Sequence, residues 1–258
     1  MSNVLDRIVA AHRRQAAADE RHLDSLVEAA RAASPPRPFS GVLAQPGLSV
    51  IAEIKRRSPS RGELAPGLAP AMLAKDYEAG GADCLSVLTD AEFFGGSAAD
   101  LVEARAACGL PLLRKDFTVS ERDVCDARVM GADAVLLIVG ALGDRELARF
   151  SVLAGELGLA VLVEVHDEGE LDRALAAGAD LIGVNQRDLR TFDVDRERAE
   201  RLGARIPPGV IKVAESGIGG PHDAAALSGA GYDAVLVGES LVTSPDPAAA
   251  VRALKGAP

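Results

Sequence analysis

Gly131-Ala132-Asp133-Ala134-Val135-Leu136-Leu137-Ile138-Val139 is the stretch on which the fold turns. It closes one element and opens another. Glycine suits the left-handed position just past a helix, a short polar turn follows, and the apolar run then reads as a strand. A run that is apolar on both parities is expected of a parallel strand covered on both faces. The same opening recurs at Gly81-Ala82-Asp83, Gly178-Ala179-Asp180 and Gly231-Tyr232-Asp233, about 50 residues apart, the length of two strand–helix units.

Working outward from these turns, eight such runs follow residue 47: Leu48–Ile54, Cys84–Leu88, Leu110–Leu113, Ala134–Val139, Ala160–Val165, Leu181–Val184, Val210–Ala214 and Ala234–Val237. Helical stretches rich in Ala, Glu and Arg fill the gaps, among them Ala69–Ala79, Ala98–Ala107, Glu121–Met130, Asp144–Leu157, Glu168–Ala177, Arg196–Leu202 and His222–Ala230. Eight strands, each followed by helix, over roughly 210 residues predict an α/β fold of the (β/α)8 TIM-barrel type. A doubly wound open sheet is the alternative, but no GxGxxG fingerprint follows the first run. Residues 4–33 read as a single amphipathic helix that Ser34-Pro35-Pro36-Arg37-Pro38 stops. Residues 1–46 are therefore expected to be a helical extension packed on the barrel mouth, with 47–258 the catalytic barrel of one domain.

Composition narrows the function. A net charge of −10 disfavours nucleic acid as a partner, so an anionic ligand must be held by local positive charge. Cys84, Cys108 and Cys125 form no CxxC pair and have no nearby His, which argues against a disulfide framework or zinc site and suits a reducing cytoplasm. The first residues lack a signal-peptide core, and no apolar run approaches the ~20 residues of a membrane helix. The four histidines make no metal motif, and no metal is assigned; His166 reads as a loop or supporting residue rather than a catalytic one.

In a barrel of this kind the site lies where the strands end. Those positions hold Glu53, Lys55 and Ser58 after the first run, Arg114, Lys115, Asp116 and Phe117 after the third, and Glu164 after the fifth. Asn185 and Arg187 follow the sixth, Glu215 the seventh. Glu53 and Lys55 are two apart and share a face of a strand, as do Asn185 and Arg187. Three carboxylates and two lysines around one low-dielectric opening push pKa values in opposite directions, as general acid–base chemistry requires. Lys115 leaves an apolar strand and is the candidate proton donor, while Arg114 and Asp116 fall on the other parity. Glu215-Ser216-Gly217 and Gly238-Glu239 supply glycines that let backbone N–H groups approach a phosphate, at the two loops that hold one in many barrels. Glu239 is expected to offer its backbone, not its carboxylate.

These segments are similar to the motifs of the indole-3-glycerol phosphate synthase family. The resemblance runs through Ile51-Ala52-Glu53-Ile54-Lys55-Arg56-Arg57-Ser58-Pro59-Ser60, Leu113-Arg114-Lys115-Asp116-Phe117, Leu162-Val163-Glu164-Val165-His166, Val184-Asn185-Gln186-Arg187-Asp188-Leu189, Ala214-Glu215-Ser216-Gly217-Ile218 and Val237-Gly238-Glu239-Ser240-Leu241. It covers essentially the whole chain, including the helical extension. Gln186 stands where Asn is usual and is expected to face away from the pocket.

The resemblance implies ring closure, decarboxylation and dehydration of 1-(2-carboxyphenylamino)-1-deoxyribulose 5-phosphate in tryptophan synthesis. It implies Lys115 as general acid, Glu164 as base or acid in the dehydration, Lys55 as a supporting group and Glu53 as the holder of the lysines. Asn185, Arg187 and Glu215 would orient the substrate, with Ser58 and Leu189 as further contacts and Phe117, Leu136 and Leu236 packed on its ring. Ser216, Gly217, Gly238 and Glu239 would bind the phosphate. No cofactor is implied, and the chain is expected to be a cytoplasmic monomer or weak homo-oligomer without nucleic-acid or membrane partners. A Schiff-base aldolase and a non-catalytic phosphate-binding barrel are the rival readings.

Overall fold

The computed structural model describes residues 4–188 and 191–256. Eight parallel strands close on themselves: β1 (Ser49–Ile54), β2 (Cys84–Leu88), β3 (Leu112–Lys115), β4 (Ala134–Ile138), β5 (Ala160–Val165), β6 (Leu181–Asn185), β7 (Ile211–Glu215) and β8 (Ala234–Val237). Each pairs with its chain neighbours, and β1 closes the ring on β8 with Ser49 opposite Ala234. The third strand begins two residues later than its apolar run. Pro111 has no N–H to donate and meets β2 only through its carbonyl, which accepts Leu85 N–H at 2.8 Å, while Leu112 N–H goes to the Asp133 carboxylate at 2.8 Å.

The recurrent Gly-x-Asp turns have a shared physical use. Gly81, Gly131, Gly178 and Gly231 all have φ between 79° and 91°, the left-handed conformation that a side chain resists. At three of the four turns the aspartate then reaches the strand before its own. Asp83 accepts Val50 N–H at 2.7 Å, Asp133 that of Leu112, and Asp233 that of Lys212 at 2.8 Å. The repeat thus ties consecutive strands together at the amino-terminal end of the barrel.

Alternation is hidden inside the apolar runs. Val50, Ala52, Val135, Leu137, Val163, Val165, Ile182 and Val184 face the helices, in one buried cluster. Ile51, Leu113, Leu136, Leu162, Leu181, Val213 and Leu236 fill the barrel interior, in another. The covering helices are numbered from the chain start: α1 (Val4–Ala18), α2 (Leu23–Ala32), α3 (Phe39–Leu43), α4 (Pro70–Ala79), α5 (Ala98–Ala107), α6 (Glu121–Val129), α7 (Asp144–Glu156), α8 (Glu168–Ala176), α9 (Glu197–Gly203), α10 (Pro221–Gly229), α11 (Glu239–Val242) and α12 (Pro247–Leu254).

The one long helix expected over 4–33 is in fact two, α1 and α2. Asp19 accepts the Arg21 backbone N–H at 3.0 Å, a local bond that competes with the helix. The Arg21 guanidinium then forks Asp126 of α6, and α2 runs against α6. Leu5 and Ile8 of α1 and Phe39 and Leu43 of α3 all join the interior cluster. At the amino-terminal end, Arg37 N–H donates to Asp133, the residue before β4. A short hairpin, Arg57–Ser58 against Gly62–Glu63, follows β1. No helix among the described residues is long and apolar enough to cross a membrane.

Candidate active site

The interior parity that carries Ile51, Leu113, Leu162, Leu181 and Val213 continues two residues on to Glu53, Lys115, Glu164, Gly183 and Glu215. Apolar packing therefore aims the charged residues. Lys115 Nζ lies 2.7 Å from Glu164 Oε2 and 3.2 Å from Glu215 Oε2. Asn185 donates its side-chain amide to Glu164 Oε1 at 3.1 Å and accepts Arg187 N–H at 3.0 Å. Beside this group, Lys55 Nζ donates to Glu53 Oε1 at 2.5 Å, and Ser86 Oγ lies 3.4 Å from the other Glu53 oxygen.

Two glycines make room for the carboxylates. A Cβ on Gly183 would stand 2.2 Å from Glu215 Oε1, and one on Gly238 would stand 2.4 Å from Glu53 Oε1 and 3.0 Å from Lys55 Nζ. Gly238 thus has a packing reason to lack a side chain.

Three acids share two lysines, so the ring carries one negative charge too many for its burial. Burial opposes the charge on Lys115, but Glu164, Glu215 and Glu53 outweigh it and raise its pKa. Burial also opposes ionisation of Glu164, yet the charge of Lys115 and the contact with His166 outweigh it and hold Glu164 below the ordinary carboxylate range. At Glu215 burial dominates, Lys115 only partly offsets it, and the neighbouring Glu164 charge adds to it, so the pKa rises. Glu215 Oε1 is buried without a hydrogen-bond partner.

Above the ring, Ser216 and Gly217 have φ of 65° and 72°, and Ser216 is one of only two non-glycine residues in the left-handed region among those described. A serine held there costs about 1–2 kcal/mol. Gln186 braces it by donating to Ser216 O at 2.8 Å and is absent from the cavity wall, as expected of that position. Val194 packs over Gly217, and Ser240 Oγ donates to Ile218 O at 3.2 Å, joining the loops after β7 and β8. The Glu239 carboxylate is drawn aside to Arg61 at 3.2 Å.

One cavity of about 430 Å³ opens at this mouth. Its wall includes every residue singled out from the sequence that the structure describes: Glu53, Lys55, Ser58, Lys115, Phe117, Leu136, Glu164, Asn185, Arg187, Glu215, Ser216, Gly217, Leu236, Gly238 and Glu239. Leu189 lies outside the described residues. Sequence reasoning missed Val4, Leu5 and Ile8 of α1, which also line the cavity, and Phe192 and Arg196 from the loop after β6. The apolar stripe of α1 was the available signal. The loop gave none, because Phe192 and Arg196 reach the cavity through a turn in which Phe192 has φ 66°.

A closed parallel barrel whose carboxyl-terminal mouth holds lysines between buried carboxylates has the architecture of the (β/α)8-barrel enzymes. The profile of the indole-3-glycerol phosphate synthase family matches residues 5–254, and the chain belongs to that family. It is 53% identical to indole-3-glycerol phosphate synthase 2 of Streptomyces coelicolor over 231 residues, 90% of each chain. It is 51% identical to the indole-3-glycerol phosphate synthases of Mycobacteroides abscessus, over 97% of this chain and 93% of that one, and of Mycobacterium ulcerans, over 98% and 94%. Among solved structures, thiamine phosphate pyrophosphorylase from Pyrococcus furiosus superposes with a TM-score of 0.62 at 18% identity, over 81% of this chain and 94% of that one, a likeness of fold alone.

Proposed function

We propose that this chain converts 1-(2-carboxyphenylamino)-1-deoxyribulose 5-phosphate to indole-3-glycerol phosphate, with Lys115 as the general acid. The observation that carries the reading is Lys115 Nζ held between Glu164 and Glu215 on the wall of the cavity. The ring carbon that bears the carboxylate attacks the ketone, and Lys115 gives a proton to the carbonyl oxygen as it becomes an alkoxide. A fixed cation at that point stabilises charge that only the transition state develops. Carbon dioxide leaves, and the ring regains aromaticity. Loss of water follows: a hydroxyl departs with a proton, and a neighbouring carbon gives one up. Glu164, ionised beside Lys115, is set to take the released proton.

Lys55 supports Lys115 and meets anionic substrate groups, and Glu53 holds Lys55 in place. Asn185, Arg187 and a protonated Glu215 orient the carboxylated ring and the hydroxyls, with Ser58 at the edge of the wall. Phe117, Leu136 and Leu236 pack on the ring. Backbone N–H groups at Ser216, Gly217, Gly238 and Glu239 take the phosphate, with Lys55, Arg61 and Arg196 supplying local positive charge in a chain of net charge −10. Of the expected 1–46 extension, α1 covers part of the mouth, while α2 lies on α6 and α3 packs at the opposite end of the barrel; 47–258 form the catalytic barrel. The same reading gives a cytoplasmic monomer or weak homo-oligomer. A Schiff-base role needs a neutral amine, and the ion-paired, raised pKa of Lys115 argues against one.

The test is Lys115→Met, assayed by the indole fluorescence that appears on turnover and by substrate binding. Loss of turnover with binding retained supports the reading. Retained turnover, or a lysine adduct trapped by borohydride in the parent protein, overturns it.

A further inference from the structure

Just outside the cavity wall stands a half-buried titratable residue that the proposed chemistry does not use: His166, one residue past the end of β5. Its Nδ1 lies 3.0 Å from Glu170 Oε2, and the same oxygen accepts the His166 backbone N–H at 2.8 Å. Glu170 is itself fixed. It is the third residue of α8, its N–H donates to the Asp167 cap at 2.8 Å, and its other oxygen fills the space beside Gly140, where a Cβ would come within 2.7 Å. On the far side of the ring, His166 Nε2 is buried, makes no well-directed hydrogen bond, and lies 3.3 Å from Glu164 Oε1.

We infer that His166, held from behind by Glu170, is a positioning residue that fixes the Glu164 carboxylate so that its Oε2 faces Lys115 and the cavity. This rests on the proposed reading of Glu164 as the proton acceptor. A carboxylate offers only acceptors, so Glu170 requires the proton on His166 Nδ1. An ionised Glu164 then requires a second proton on Nε2, which makes the ring a cation. Burial opposes that charge, but Glu164 and Glu170 outweigh it and raise the His166 pKa to about 9. The groups around the pair are Glu164 of β5, Glu170 of α8, Lys115 of β3, Asn185 of β6 and Glu215 of β7. Lys115 is divided between Glu164 and Glu215, so the imidazolium is a cation that Glu164 need not share with Glu215. Asn185 and His166 both approach Oε1, which leaves Oε2 for the reaction.

The experiment is the pH dependence of kcat and KM on the ring-closure substrate for the parent, His166→Ala, His166→Gln, Gly140→Ala and Glu164→Gln, with thermal melting to show that each is folded. His166→Ala is expected to lower kcat about tenfold, part of the ~10²–10⁴ that a positioned acid–base group contributes, with KM within about twofold. The acidic limb of the kcat profile moves to higher pH, because Glu164 loses the charge that favours its ionised form. His166→Gln keeps an N–H donor without the charge, so it recovers part of kcat and leaves the limb displaced. Gly140→Ala displaces only the mobile end of Glu170 and shifts both readouts the same way by less, which keeps the test open if His166→Ala does not fold. Folded His166 variants with unchanged kcat and limb, or with only KM altered, overturn the inference. If Glu164→Gln is inactive in that case, the reading of Glu164 stands and this inference alone falls. If Glu164→Gln turns over normally, both fall.

Discussion

Arg114 and Lys115 are neighbours on β3, and each sits in a buried charge cluster. On the Arg114 side every charged atom is answered. Arg114 donates to Asp116 Oδ2 at 2.9 Å, to Thr89 Oγ at 3.1 Å and to Asp123 O at 2.8 Å. Asp116 also accepts from Thr89 and from Phe117 N–H, and Asp90 accepts from Phe93 N–H, Phe94 N–H and His12. On the Lys115 side three acids meet two lysines, and Glu215 Oε1 has no partner. The same strand thus carries a saturated network on one parity and an incomplete one on the other. A saturated network makes a fold specific, whereas an incomplete one holds protons and donors ready for a substrate.

The contrast breaks most sharply with paired substitutions. Lys115→Met should reduce turnover by about 10³-fold or more, within the range of a lost acid, and should also cost about 3–5 kcal/mol of stability, because it strands Glu164. Arg114→Met should share only the second effect. It strands Asp116 and costs about 3–5 kcal/mol of stability, while the kcat of folded molecules stays close to the parent's. Denaturant titration and active-site-normalised kinetics read the two effects. Stability loss at Lys115 with full activity, or activity loss at Arg114 without instability, would erase the distinction.

Glu215→Gln sharpens it further. Burial raises the folded-state pKa of Glu215 above its unfolded value, so its contribution to stability is fully present at acidic pH and is lost as pH rises through the folded value. A glutamine cannot ionise and escapes that loss. The variant should therefore gain on the parent as pH rises from about 5, by on the order of 2 kcal/mol, levelling once Glu215 ionises in the parent. Urea midpoints between about pH 5 and 9 measure the gap. A gap that shrinks with rising pH would mean that Glu215 rests ionised.

Gly238→Ala drives a methyl into the Glu53–Lys55 pair, whose side-chain ends can yield. We expect kcat to fall about tenfold, or 1.4 kcal/mol, with the fold intact. An unchanged kcat, measured by indole fluorescence, would show that the pair does not support Lys115.

The smallest effect belongs to the saturated side. Burial opposes the charge on His12, but Asp90 and then Asp116 outweigh it and raise its pKa. His12→Gln should cost about 1 kcal/mol below pH 6.5, a difference that fades as pH rises through the folded-state value. The lower edge is set by Asp90, whose lowered pKa keeps it ionised down to acidic pH. A pH-independent cost, read by denaturant titration, would assign His12 a packing role alone.

Much of this was legible along the chain. The polar exits of the apolar runs named Glu53, Lys55, Lys115, Glu164 and Glu215, because parallel strands place each parity on one face and the barrel uses one mouth. The break at Asp19–Arg21 was not legible, since the amphipathic stripe runs through it and the turn depends on Asp126, far along the chain. The use of Phe192 and Arg196 escaped for the same reason, since it depends on a partner brought near only by closure of the barrel, whereas Pro111 already marked the late start of β3.

By itself, then, the sequence determined the strand–turn–helix rhythm, the left-handed glycines and which residue types leave each strand, because these follow from local conformation and side-chain periodicity. Only the tertiary structure decided that Lys115 stands between Glu164 and Glu215, that α1 forms part of the cavity wall, that Gly183 and Gly238 clear space for carboxylates, and that burial raises the pKa of Glu215 while Lys115 lowers that of Glu164. Those outcomes depend on distances of a few ångströms between residues tens of positions apart and on how deeply closure buries them. Coulomb and desolvation energies vary steeply over that range.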